Sequence, residues 1–152
     1  MKALIQRVTS ARLSVDGREI SSVGAGLVVY LGVAKGDDEK TADAVAAKIS
    51  RMRIFADEND KLNYSVSDKG YSVLLVSQFT LCADCSRGNR PDFTGAEGAE
   101  RAKALYLYTG RALEALGVNV AYGVFGADMT IEQINSGPVT IELEIPYPDK
   151  KR

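Results

Sequence analysis

Ser77, Gln78 and Thr80 stand directly behind the unbroken apolar run Val73-Leu74-Leu75-Val76, with Phe79 interleaved. Two hydroxyls and an amide at the end of a rigid buried strand can present hydrogen bonds to a ligand. They can equally satisfy backbone groups where the strand leaves the core. Arg87 and Arg90 follow in a loop, as candidate contacts for phosphate or a partner, or as solvated loop residues. The chain has no histidine, which excludes Ser-His-Asp and Cys-His catalysis and removes the commonest transition-metal ligand. Proton transfer and charge stabilisation then fall to carboxylates, hydroxyls, backbone amides or the substrate itself.

Cys82 and Cys85 make one CxxC, open to reading as a redox pair or as half of a zinc site completed across a dimer. A redox CxxC normally opens a helix, whereas Ser86-Arg87-Gly88-Asn89-Arg90-Pro91 reads as loop, and zinc would lack two ligands in the monomer. The acidic stretch Asp57-Glu58-Asn59-Asp60 does not match the spacing of an EF-hand. No metal or cofactor is expected.

The elements that must position these residues follow from periodicity. Val73 to Val76 is too short for a comfortable helix and too apolar for a surface, so it is expected to be a central buried strand. Ala3 to Val8 and Ala11 to Val15 alternate, and Asp16-Gly17 before Arg18 to Ile20 is a hairpin signal. Leu27 to Val33 is a second buried strand. Glu39 to Met52 presents one apolar stripe behind a carboxylate at the N-cap, and Glu97 to Leu116 presents another, ended by Gly117. Arg53-Ile54-Phe55 is expected as a short strand, Val118 to Phe125 and Ile131 to Ile134 as strands, and Pro138 to Ile145 as a strand with one wet face. Strands, helix, strands, helix, strands predict a single α+β domain over 1–146, with a mixed or antiparallel, barrel-like sheet and two main helices. A basic tail covers 147–152.

A chain of 152 residues, 45% hydrophobic and 26% charged, suits one such domain. The net charge of -1 offers no general basic field, so any RNA must bind at a local site and no DNA partner is expected. With no 18-residue apolar run and an alternating N-terminus, a cytoplasmic protein without a membrane partner is expected.

Asn135-Ser136-Gly137-Pro138-Val139-Thr140 reads as a loop just before the last strand. Gly-Pro alone is weak, since most such pairs are turns. Here it shares a chain with Ser77-Gln78-Phe79-Thr80-Leu81, Arg7, Arg53-Ile54-Phe55, Asn89-Arg90-Pro91-Asp92-Phe93 and Phe125-Gly126-Ala127-Asp128-Met129. Taken together these resemble the D-aminoacyl-tRNA deacylase family over nearly the whole chain.

The resemblance implies the fold of that family and a homodimeric editing hydrolase. Such an enzyme cleaves the ester between a D-amino acid, or mischarged glycine, and the terminal adenosine of tRNA. It implies a cis peptide at Gly137-Pro138 that reaches into the partner's pocket near Ser77, Gln78, Phe79 and Thr80. There its carbonyls, helped by Arg7, would occupy the volume an L side chain needs. It also implies that the adenosine 2′-hydroxyl helps orient the attacking water, with backbone N–H groups near Phe79 and Thr80 as oxyanion donors. Thr80 as covalent nucleophile is an alternative that lacks a neighbouring base in sequence. Phe125 and Met129 are candidates for the pocket wall or for the core. A catalytically silent dimeric module that binds adenosine or the tRNA end, and a thiol redox protein, are the competing readings.

Overall fold

Asp16 and Gly17 both have positive φ, 50° and 75°, as a two-residue hairpin turn requires. They join β1 (Lys2–Val15) to β2 (Arg18–Val23), and the return arm continues past a break at Gly24-Ala25 into β3 (Gly26–Gly32). The pairs Ala11↔Val23, Val8↔Gly26 and Lys2↔Gly32 keep one register, so β2 and β3 are two halves of a single partner of β1.

The computed structural model describes residues 1–146, and the tail expected over 147–152 lies outside them. The remaining elements are α1 (Glu39–Arg51), β4 (Phe55–Ala56), β5 (Leu62–Tyr64), α2 (Val66–Lys69), β6 (Ser72–Ser77), a 3-10 turn (Phe79–Cys82), α3 (Ala99–Ala115), β7 (Asn119–Tyr122) and β8 (Thr130–Glu144). The main sheet runs β2-β1-β3-β6-β7, with β8 on the other edge of β1. β6 is parallel to both its neighbours and Val73 to Val76 are fully buried, so the expected central strand is present. At the far side β2 curls over towards β7, where the Ser21 hydroxyl donates to the Tyr122 carbonyl at 2.8 Å, and the sheet becomes a nearly closed barrel.

Alternation along the strands divides the core in two. Ile5, Leu27, Val29, Leu31, Val73 and Leu75 face α1 and α3, which answer with Val45, Ala46, Ile49, Leu105, Tyr106 and Leu113. Val8, Ala11, Leu13, Val28, Leu74 and Val76 pack on the opposite face. Asp38 caps α1 by accepting from the Thr41 N–H at 2.9 Å.

Four expectations need correction. The segments Ile131 to Ile134 and Pro138 to Ile145 are one strand, β8, and the Asn135 to Thr140 motif lies within it instead of in a loop before it. The strand expected at Arg53-Ile54-Phe55 is Phe55–Ala56, paired with β5 in a separate two-stranded ladder. The strand after Gly117 stops at Tyr122, three residues short, and the Gly123 N–H, donating to the Leu75 carbonyl at 3.1 Å, is the last rung of its parallel pairing with β6. α3 begins after Gly98, two residues later than expected, since the Glu97 N–H is bound to the Val33 carbonyl at 2.9 Å.

A buried ion pair ties the ends of this arrangement together. The Met1 ammonium meets Asp37 Oδ1 and the Ile145 carbonyl, each at 2.6 Å, while Asp37 Oδ2 accepts from the Ala34 N–H at 2.7 Å. The paired groups are 0% and 4% exposed. Asp37→Asn removes the negative partner and leaves a buried cation, so it is expected to cost about 3 kcal/mol. A denaturation midpoint unchanged from wild type would show that the pair contributes nothing net.

Candidate active site

The end of β6 is held to β3 one step beyond the strand, where the Gln78 N–H donates to the Leu31 carbonyl at 2.8 Å. The chain then tightens into the 3-10 turn Phe79–Cys82. The approach to β3 is close enough to need glycine at 32, where a Cβ would stand 2.9 Å from the Gln78 carbonyl oxygen and 3.1 Å from Leu81 Cβ. The Phe79 and Thr80 N–H groups open the turn, so no earlier turn of helix supplies them a carbonyl, and neither has a backbone partner among the described residues. Two adjacent donors are thereby left available to a ligand. The Gln78 side-chain amide donates to Thr80 Oγ1.

Beside this turn lies a cavity of about 560 Å³ lined by Ser77, Gln78 and Phe79, by Phe125 and Met129, and by Leu31, Val33, Val76, Ala102, Tyr106 and Ile131. Its walls are largely apolar, while Glu97 and Asp128 also line it. Glu97 is committed locally, accepting from the Gly98 N–H at 2.8 Å and pairing with Arg101 at 3.4 Å. Tyr106 braces the wall: its hydroxyl donates to the Leu75 carbonyl at 2.7 Å and its ring centroid lies 5.9 Å from that of Phe125. Burial pushes the Tyr106 phenol up to about 12, so at neutral pH it is an uncharged, fixed donor. A mainly apolar ligand with a polar end fits this combination.

Five residues singled out from sequence therefore meet at one cavity: Ser77, Gln78, Phe79, Phe125 and Met129. Thr80 is on the turn but does not line the cavity. Ala102 and Tyr106 belong to the α3 stripe, which sequence reasoning assigned wholly to packing; nothing in their spacing separates lining from core. Cys82 ends the turn and is buried, with its thiol pushed up by that burial, while Cys85 is exposed in the following loop. Both are free thiols, and the raised Cys82 is the reverse of an activated redox cysteine.

Arg7, Gly137 and Pro138 lie elsewhere. Between the pairs Gln6↔Thr140 and Ser10↔Ile134, three residues of β1 face five of β8, so Ser136 to Val139 bulge outward opposite Arg7. Arg7 Nε donates to the Ser136 carbonyl at 3.2 Å, and Nη1 donates to the Ile54 carbonyl at 2.8 Å. Gly137 has φ of 118°, and the Gly137-Pro138 bond is cis. Arg7 is level with Val73, whereas Ser77 is four residues further along and two strands across. At ordinary strand spacings the two groups are on the order of 15 Å apart. One chain alone does not bring Gly137-Pro138 to the cavity.

Comparison with known proteins agrees across the chain. The profile described as D-Tyr-tRNA(Tyr) deacylase matches residues 4–144. A curated D-aminoacyl-tRNA deacylase of Paracoccus denitrificans (strain Pd 1222) is 51% identical over 144 residues, covering 95% of this chain and 97% of its own length. The protein of the same name from Deinococcus radiodurans is 52% identical over 145 residues, covering 95% and 100%. A solved structure described as c-Myc DNA Unwinding Element Binding Protein is 42% identical and superposes with a TM-score of 0.91, over 97% of this chain and 100% of that one. Another, described as a probable eukaryotic D-amino acid tRNA deacylase, has a TM-score of 0.81 at 15% identity over 93% and 97%, a likeness of fold.

Proposed function

The chain belongs to the D-Tyr-tRNA(Tyr) deacylase family, and from that premise we propose that it hydrolyses D-aminoacyl-tRNA, and glycine mischarged on tRNA, to free tRNA and amino acid. The observation that carries the reading is the cavity at the end of β6, where Ser77, Gln78 and Phe79 meet Phe125 and Met129 beside two unpaired backbone donors. The terminal adenosine enters between the apolar walls, and the ester carbonyl lies against the turn.

Water attacks the carbonyl carbon, the oxyanion is held by the Phe79 and Thr80 N–H groups, and the carbon–oxygen bond to the ribose breaks to release the tRNA hydroxyl and the carboxylate. The chain has no histidine to serve as base, so the adjacent 2′-hydroxyl of the ribose orients the water. An aminoacyl ester is already activated, and positioning supplies most of what it needs. Thr80 is less suited to attack, because Oγ1 is engaged by Gln78 and no imidazole is available to take its proton.

Rejection of L esters falls to Gly137-Pro138, supplied by the second subunit of a homodimer. Support for the dimer comes from the separation of these residues from the cavity, and from β8, whose outer edge pairs with no described strand and carries Ile134 at 62% exposure. Two rigid carbonyls in the pocket leave room for hydrogen or a D side chain but not for an L side chain. The partner is thus the tRNA 3′ end in the cytoplasm; DNA is not a partner in this reading, in keeping with a net charge of -1.

The test is hydrolysis of matched D-Tyr-tRNA, L-Tyr-tRNA and Gly-tRNA, each with and without the terminal 2′-hydroxyl. D and glycyl esters are expected to turn over at least about 100-fold faster than L, with the rate collapsing in the 2′-deoxy substrates. Equal turnover of D and L would remove the chirality filter, and full activity on 2′-deoxy substrate would remove the RNA-assisted step. Binding without turnover of any ester would favour the catalytically silent module.

A further inference from the structure

Residues 83–94 link the 3-10 turn to the approach of α3, and the base of this loop is closed by two hydrogen bonds. The Asp84 N–H donates to the Asp92 carbonyl at 2.7 Å and the Asp92 N–H donates to the Asp84 carbonyl at 2.9 Å. Both carboxylates turn back on the loop itself, accepting from the Ser86 N–H at 2.8 Å and the Thr94 N–H at 2.6 Å. The negative charge is therefore engaged at the base, where Lys35 also acts on Asp92.

The tip is different. Arg87 and Arg90 flank Gly88, which turns the chain at φ of 67°, and both arginines are exposed. Neither makes an ion pair with any described residue, and the side-chain hydrogen bonds of this loop are those of Asp84 and Asp92. The return arm brings Phe93 edge-on to Phe79, with centroids 5.1 Å apart, and the two rings are 36% and 56% exposed. Phe79 also lines the cavity. A braced loop thus sets two unpartnered cations and an exposed aromatic pair next to the mouth of the site.

We propose that this loop receives the single-stranded stretch of RNA leading to the terminal nucleotide, with Arg87 and Arg90 on its phosphates and the Phe93 ring against a base. The proposal rests on the reading of the substrate as aminoacyl-tRNA and extends it from the terminal adenosine to the nucleotides before it. Cations beside exposed aromatic rings are the combination that holds single strands, because phosphates repeat along the backbone and every base has a face to stack. A chain of net charge -1 gains little from its general field, so the attraction must be local. The engaged carboxylates at the base disfavour the same contact there and direct the strand across the tip.

The deciding variant is Arg87→Gln with Arg90→Gln, two exposed positions outside the cavity. With D-Tyr-tRNA, kcat/KM at low salt is expected to fall about 10-fold, and the log–log dependence of binding on salt to become shallower by about 1.4, the loss of two phosphate contacts on a single strand. With D-tyrosyl-adenosine, which has no phosphate, the rate is expected to equal wild type. Wild-type turnover and salt slope on D-Tyr-tRNA would overturn the proposal, as would an equal fall on both substrates, which would mean that the loop acts through Phe79 instead. If the wild type hydrolysed neither substrate, the hydrolase reading would fall on its own, and the loop would be judged by binding of uncharged tRNA. That binding must weaken about 10-fold in the double variant for the proposal to stand.

Discussion

Gly137→Ala is expected to lower the ratio of D- to L-ester turnover by about two orders of magnitude while the protein stays folded. Gly137 has φ of 118°, in the half of backbone space that L side chains rarely adopt. An added Cβ would lie 2.9 Å from an Arg7 guanidinium nitrogen and 3.0 Å from the Val139 backbone nitrogen. Arg7 has little freedom to withdraw, because it is bonded to the carbonyls of both Ser136 and Ile54. The bulge from Ser136 to Val139 must shift instead. In the proposed filter this segment works by occupying volume, and a displacement approaching 1 Å is then enough to lose most of its discrimination. The global cost is small by comparison, since the bulge is largely exposed on an edge strand. The check is kcat/KM for both esters beside a thermal melt. A preserved D/L ratio in the folded variant would show that the segment does not read chirality.

Local signals carried much of this architecture, and the failures have physical causes. Asp16-Gly17 was legible because a two-residue turn with positive φ at both positions admits few other residues. The run Val73 to Val76 was legible because four consecutive apolar residues need cover on both faces, and so short a run suits a strand better than a helix. In sequence β8 reads as two strands around a loop because Gly-Pro signals a turn. On an edge strand proline withholds no needed N–H from a neighbour, and the extra residues bulge while pairing resumes on either side. α2 escaped notice although Ser65 and Asp68 form a reciprocal capping box and Gly70 closes it at φ of 62°; at four residues it has no apolar period to detect. The α3 wall of the cavity lay beyond local reading. Ala102 and Tyr106 look like any helix stripe until β6 and the Phe125 to Met129 segment arrive beside them.

Gly32→Ala is expected to lower kcat on D-Tyr-tRNA by about 10- to 100-fold with only a modest loss of stability. The reason is where the methyl group goes. Gly32 lies in ordinary extended backbone, so alanine adds no backbone strain, but its Cβ would be 2.9 Å from the Gln78 carbonyl oxygen and 3.4 Å from Cys82 Sγ. The turn Phe79–Cys82 must ride away from β3, carrying with it the two N–H groups to which the proposed mechanism gives the oxyanion. At the other end of the same strand, a Cβ on Gly26 would press into the Ser72 carbonyl oxygen, where β3 and β6 begin to pair. Gly26→Ala therefore disrupts the central parallel pair and is expected to lower stability by several kcal/mol, without moving the turn relative to the cavity in whatever fraction stays folded. The two alanines on one strand separate packing from positioning. Activity per folded molecule should fall in the Gly32 variant and hold in the Gly26 variant. Equal activity per folded molecule in both would mean that the end of β6 is scaffold and that the chemistry resides elsewhere.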